Sequence, residues 1–207
     1  MKKIIAVIVL TITSFTIFAQ APLFKGVPVE GNLELFMAKL RLKGCVLVEK
    51  TKASDTGDRV VRMKGSYAGY QNCEIILFAN EKGNEIERVR VIMPLKCYRY
   101  GETIEGCSDN YKDVRSMYLS LKSKLTDKYG KPFGVSEGEI ITYSGGEIRK
   151  ISEMDLYGCG WTDEAANPIL LEITAFESDS DYFASVRVDI TNISSAIKSR
   201  EKVLDDM

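Results

Sequence analysis

The 207-residue chain contains no histidine, which removes the commonest general base near neutral pH and the commonest metal ligand. Ser-His-Asp triads and Cys-His pairs are thereby excluded. Its five cysteines include no Cys-x-x-Cys, so a thioredoxin-like redox site or a zinc knuckle lacks its spacing. Five prolines and 16 glycines are too few for a collagen-like or low-complexity chain. Neither sign of charge dominates: 28 basic residues stand against 29 acidic ones, which gives nucleic acid no reason to bind. With 45% apolar and 28% charged residues, the composition is that of an ordinary globular protein.

Residues 1–19, MKKIIAVIVLTITSFTIFA, place two lysines before an apolar run that opens at Ile4 and continues to Phe18 and Ala19. That is the layout of a secretory signal peptide. Thr11, Thr13, Ser14 and Thr16 interrupt the run, which is short for a membrane span of about 20 residues. Two cleavage points compete, after Ala19 and after Ala21; the second would put Pro22 first, so Gln20 is the favoured mature N-terminus. No cysteine stands at the junction to carry a lipid. The expectation is an exported chain, periplasmic or secreted, with no membrane span after cleavage. Its mature part is mildly acidic, because the leader takes Lys2 and Lys3 with it.

All five cysteines, Cys45, Cys73, Cys97, Cys107 and Cys159, lie in the mature part, where an oxidising compartment makes pairing the default. Cys97 and Cys107 bracket the loop CYRYGETIEGC between a strand end and a helix start. A disulfide there would contribute about 2–3 kcal/mol by loop closure. Cys45 and Cys73 either pair between strands or pack as buried thiols, and Cys159 is left over.

Asn32 and Gly44 are an N-cap and a C-cap for a helix whose Leu33, Phe36, Met37 and Leu40 form one apolar face. Strand-like runs follow at 46–50, 59–65, 73–79 and 85–93, each bounded by turn residues. A second helix opens at Ser108, Asp109 or Asn110, carries Val114, Met117, Tyr118, Leu121 and Leu125 as its stripe, and stops at Gly130-Lys131-Pro132. Strand-like runs recur at 139–144, 153–162, 168–176 and 181–190, and a short polar helix closes the chain over 195–204. The order is twice helix then four strands. Phe36-Met37-Ala38-Lys39-Leu40 echoes Leu121-Lys122-Ser123-Lys124-Leu125, and Val89-Arg90-Val91 echoes Val186-Arg187-Val188. A helix and an antiparallel sheet bury their apolar faces against each other, so the fold class is α+β: two tandem units, residues 20–107 and 108–207, behind the leader 1–19.

Tandem units of this order and length resemble the beta-lactamase-inhibitor-protein-like fold, which is also found in small exported outer-membrane assembly lipoproteins. The stretch Phe24-Lys25-Gly26-Val27-Pro28-Val29-Glu30-Gly31 before the first helix, with Lys128-Tyr129-Gly130-Lys131-Pro132 after the second, is similar to uncharacterised exported bacterial proteins. The lipoproteins' lipidated cysteine has no counterpart here, so the resemblance does not carry membrane tethering. It implies a fold and no activity.

No local motif marks an enzyme. Ser120-Leu121-Lys122-Ser123-Lys124 reads as helix surface and core stripe rather than a Ser-Lys dyad. Glu177-Ser178-Asp179-Ser180-Asp181 lacks the Gly and distal Glu of a calcium loop and reads as a solvated hairpin turn. Glu139, Glu147, Glu153 and Glu172 are available carboxylates without a measured separation. No cofactor is indicated. Tyr67, Tyr70, Tyr98, Tyr100 and Trp161 with Arg99 are the residue types that dominate protein interfaces, and Tyr98-Arg99-Tyr100 would ride on the Cys97–Cys107 loop. These residues point to a non-enzymatic binding module with a protein partner. A small-ligand or glycan binder is the alternative, ahead of a carboxylate-dependent hydrolase of envelope polymers.

Overall fold

A computed structural model describes residues 20–51, 58–80, 84–99, 104–137, 157–178 and 181–197. A two-residue hairpin comes first, β1 (Leu23–Phe24) and β2 (Val27–Pro28). Its turn, Lys25-Gly26, takes left-handed φ values of 51° and 75°, which fits the right-handed twist of the flanking strands. Helix α1 (Leu33–Leu42) follows, then β3 (Val46–Thr51), β4 (Asp58–Tyr67), β5 (Tyr70–Asn80), β6 (Ile86–Ile92) and β7 (Lys96–Arg99). The second half holds α2 (Ile104–Tyr129), β8 (Phe133–Ser136), β9 (Gly158–Thr162), β10 (Pro168–Ser178) and β11 (Asp181–Thr191), with a short helical turn at 193–197.

Helix α1 starts where the sequence places it. The Asn32 Oδ1 accepts from the backbone N–H of Glu34 at 2.9 Å and of Leu35 at 3.3 Å, satisfying two otherwise orphaned donors. At the other end Gly44, at φ 81°, donates to the Arg41 carbonyl. Helix α2 begins at Ile104, ahead of the expected Ser108–Asn110 cap, so Cys107 belongs to the helix rather than to the loop before it. The helix ends at Gly130, whose N–H still bonds the Thr126 carbonyl and whose φ of 82° then turns the chain out of the helix.

All the strand pairings are antiparallel, and β3 to β11 form one sheet in the order β3-β4-β5-β6-β11-β10-β9-β8. The class is therefore α+β with a large antiparallel sheet. Strand β7 lies beyond the end of β6 and pairs the start of β11, Cys97 opposite Phe183. The two halves meet at β6 and β11, where Val89 faces Ile190 and Val91 faces Val188. Strand β8 and the β1–β2 hairpin were not expected from the sequence; the expected strand at 139–144 and the tail beyond 197 lie outside the described residues.

Both helices pack on the same face. One core cluster joins Leu33, Phe36, Met37 and Leu40 of α1 and Val114, Tyr118 and Leu121 of α2 to alternate residues of β4, β5, β6, β9, β10 and β11. Trp161, 1% exposed, is the largest fully buried side chain and donates from Nε1 to the Gly130 carbonyl at 3.0 Å. Two buried asparagines tie the N-terminal strap across the second half. Asn167 Nδ2 donates to the Gln20 carbonyl at 2.9 Å, and Asn192 Nδ2 to the Val29 carbonyl at 2.8 Å. The β4–β5 turn is fixed to α2 by Lys124 Nζ donating to the Ala68 carbonyl at 2.7 Å.

Cys45, Cys73 and Cys159 are buried free thiols. Cys45 and Cys73 flank Gly65 of β4 on either side: the Cys45 Sγ fills the space of a Gly65 side chain, and Cys73 is the register partner of Gly65. A strand intervenes, so their backbones are roughly 10 Å apart, two strand spacings, beyond the reach of a disulfide.

Strand β9 must be glycine at position 158. A Cβ there would stand 2.2 Å from the Leu171 carbonyl oxygen, a backbone atom that cannot swing aside. Gly158→Ala is expected to cost about 3 kcal/mol, read as a lower urea midpoint at unchanged slope.

Candidate docking surface

Strand alternation sends Val89 and Val91 of β6, Val188 and Ile190 of β11 and Ile169 and Leu171 of β10 toward the helices. The neighbours between them, Arg90, Arg187, Asp189, Leu170 and Glu172, point to the opposite face, which carries no helix among the described residues and is called the helix-free face below. A bulge before Arg88 sets this phase, because Ala79 faces Ile86 while Phe78 faces Arg88, leaving Glu87 as the extra residue. Two rows of cross-strand neighbours result. One runs Arg62, Ile76, Arg90, Asp189, Leu170, Gly160; the other runs Lys64, Glu74, Ile92, Arg187, Glu172, Gly158.

At the centre, Arg90 grips Asp189 with two parallel bonds, Nε to Oδ1 at 2.8 Å and Nη2 to Oδ2 at 2.9 Å. Arg187 Nη2 donates to Glu172 Oε2, and its Nε lies 3.7 Å from Asp189 Oδ2. The carboxylates are nearly covered, 7% and 8% exposed, whereas the arginines keep 22% and 27%. A buried carboxylate is tolerated only when paired, so the acids hold the guanidinium groups in fixed orientations. Phe78 lies beneath Arg90 and the neighbouring Arg88, with Arg88 Cζ at 4.0 Å and Arg90 Cζ at 5.4 Å from its ring centre. Beside this charged centre, Leu170 and Phe133 crowd the place where a Gly160 side chain would stand. They remain 38% and 50% exposed.

A second polar cluster lies under α2. Tyr118 OH donates to Glu137 Oε1 at 2.6 Å and lies 3.3 Å from the Cys159 Sγ, while Lys122 Nζ donates to the same Glu137 oxygen. Burial raises the Glu137 carboxyl, but the bonds from Lys122 and Tyr118 outweigh it and hold the group below its ordinary value. Burial pushes the Tyr118 hydroxyl and the Cys159 thiol up, keeping both protonated. A protonated phenol and thiol supply neither base nor nucleophile. The cluster clamps α2 to the residue after β8 and to β9.

The residues singled out from the sequence separate. Trp161 is core, which corrects its assignment to a binding surface: Cys159 and Trp161 alternate inward while Gly158 and Gly160 take the outer face. Tyr67 is half-buried and stacks on Phe24 at 5.8 Å, and burial raises its hydroxyl. Tyr70 is half-buried with the Lys124 ammonium 5.8 Å from its ring centre, so both tyrosines belong to the hairpin held against α2. Tyr98 and Arg99 lie on β7 opposite Tyr182 and Asp181. Their side chains, Tyr100, and the sulfurs of the expected Cys97–Cys107 bridge lie outside the described set. Phe78, Arg88, Arg90, Arg187 and Asp189 were not singled out. For Arg90 and Arg187 the signal was an arginine between two valines, at 89–91 and 186–188, which places a cation opposite a core-facing pair.

A scan against protein-family models and searches of the curated proteins and of the solved structures gave no match to this chain. No helix among the described residues is long and apolar enough to cross a membrane.

Asp189→Ala leaves Arg90 and Arg187 without their shared acid and is expected to cost about 3–5 kcal/mol in denaturant titration. Glu137 behaves oppositely to a raised group: its stabilisation is present above the ordinary glutamate value and is lost as pH falls through its lower folded value. Glu137→Gln should therefore destabilise by about 1–2 kcal/mol at pH 7. The gap between wild type and variant should close in acid, which thermal melts across pH will read.

Proposed function

We propose that the chain is an exported, non-enzymatic binding module that docks a partner protein on the helix-free face of its sheet. The observation that carries this reading is the ordered centre of that face, where Arg90 and Arg187 are fixed between buried carboxylates and Phe78 supports Arg88 and Arg90. Arginine and aromatic residues dominate interface energetics, and groups already held in place lose little entropy on binding. Exposed Leu170 and Phe133 add an apolar contact beside them. The partner that fits offers an apolar side chain to Leu170 and Phe133 and acceptor groups to the guanidinium edges.

The chain is built, in this reading, from two tandem helix-plus-four-strand units of the beta-lactamase-inhibitor-protein-like kind. Its support is the element order, α1 before β3 to β6 and α2 before β8 to β11, with the last strand of each unit paired to the other. Tyr98 and Arg99 belong to a second contact at the end of the same sheet, since β7 pairs β11. For the small-ligand alternative, one cavity among the described residues, beside Lys128, Tyr129, Asp163 and Glu164, has a volume of about 250 Å³, just under the usual ligand-site range of roughly 300–1,000 Å³.

The test immobilises the mature chain, Gln20 to Met207, beside two variants, Leu170→Glu on the face and Tyr98→Ala/Tyr100→Ala on β7 and its exit. The expected result is one envelope protein whose affinity falls roughly 30-fold or more with Leu170→Glu, as for an interface hot spot, at unchanged melting temperature. Retention indifferent to Leu170→Glu, or no retained protein, would overturn the reading.

A further inference from the structure

We infer that Gln20 is a modification site: exposed by cleavage after Ala19, it closes on itself to a pyroglutamyl ring. The inference rests on the export reading and adds to it the point of cleavage and the fate of the new terminus.

Gln20 is tied into the fold through its backbone carbonyl. Asn167 is 1% exposed and uses every polar atom of its amide. Its Nδ2 donates to the Gln20 carbonyl and to the Asp163 carboxylate, and its Oδ1 accepts from the Ile193 N–H at 3.0 Å. Ala21, the next residue, is buried at 6% exposure, and the Val29 N–H closes the strap onto the Pro22 carbonyl at 2.8 Å. Cleavage after Ala21 would discard the Asn167 acceptor and the buried methyl together. Cleavage after Ala19 keeps both, which adds a packing argument to the preference that Pro22 already gives for Gln20.

The side chain of Gln20 is exposed while its carbonyl is pinned. Ring closure engages only the α-amine and the side-chain amide, and so leaves the Asn167 bond in place. An α-amine titrates near 8, so a fraction is neutral at pH 7. Its nitrogen attacks the side-chain Cδ, a five-membered N–Cδ bond forms, and the Cδ–Nε2 bond breaks. The amide nitrogen leaves as ammonia with a proton from the amine. No oxidant, reductant or co-reactant enters, and the two groups are held in one residue, which favours the step by proximity. The ring removes the terminal amine that an aminopeptidase needs. Trimming of Gln20 and Ala21 is thereby blocked, and the strap stays tied to Asn167.

The test takes the protein from the envelope or culture fraction of cells expressing the full chain, beside Gln20→Ala, and measures intact mass and N-terminal fragment ions before and after aminopeptidase. The expected wild-type mass is that of residues 20–207 less one ammonia, resistant to the peptidase. Gln20→Ala should begin at the same position, show no ammonia loss, and be trimmed. A wild-type chain that starts at an open Gln20 overturns the ring while leaving export standing. A chain that starts at Pro22 overturns the cleavage point, and an uncut chain starting at Met1 removes the export reading with it.

Discussion

Everything in this fold depends on the pairing of β6 with β11. Five residues of each strand face one another, Arg88 to Ile92 against Thr191 to Arg187, and they join two helix-bearing halves into one sheet. On one side the pair contributes Val89, Val91, Val188 and Ile190, none more than 3% exposed, to the common core. On the other it carries the Arg90–Asp189 clamp. Without this seam each half would present a long unpaired edge, the arrangement natural sheets avoid.

The seam also explains why charge sits at the centre of the helix-free face rather than at its rim. Alternation compels every second residue of β6 and β11 away from the core, and long side chains there have only one another to pack against. Arginine suits the position because its planar fork meets a carboxylate on one edge and an aromatic ring on its flat side. Acid and base are thus drawn from strands far apart in sequence, 99 residues for Arg90 and Asp189. The outer links repeat the theme: Asn167, Asn192 and Lys124 all bond backbone carbonyls of the first half from the second.

Much of the fold was legible because its signals are local. Asn32 and Gly44 bracket α1, and the runs that became β3 to β6, β10 and β11 are apolar-rich stretches bounded by turn residues. Strand β8 is too short to show a period, and β1 and β2 have two residues each. Ser108, Asp109 and Asn110 look like caps, yet α2 runs through them, since their low helix propensity costs only about 0.5 kcal/mol each. The surface was harder to see. Trp161 attracted attention by residue type, although its alternation with glycine places it inside. Arg90 and Asp189 carry no short-range sign of each other, because which strands become neighbours is a long-range outcome.

The strand that completes the seam follows all the other described strands in the chain. Until β11 emerges, β6 has no neighbour on that side, β10 has no hairpin partner, and the strap lacks Asn192 to hold Val29. Contacts of such long sequence separation form slowly, because the intervening chain must close first. The first half thus gains its seam partner only after the intervening described strands have been made.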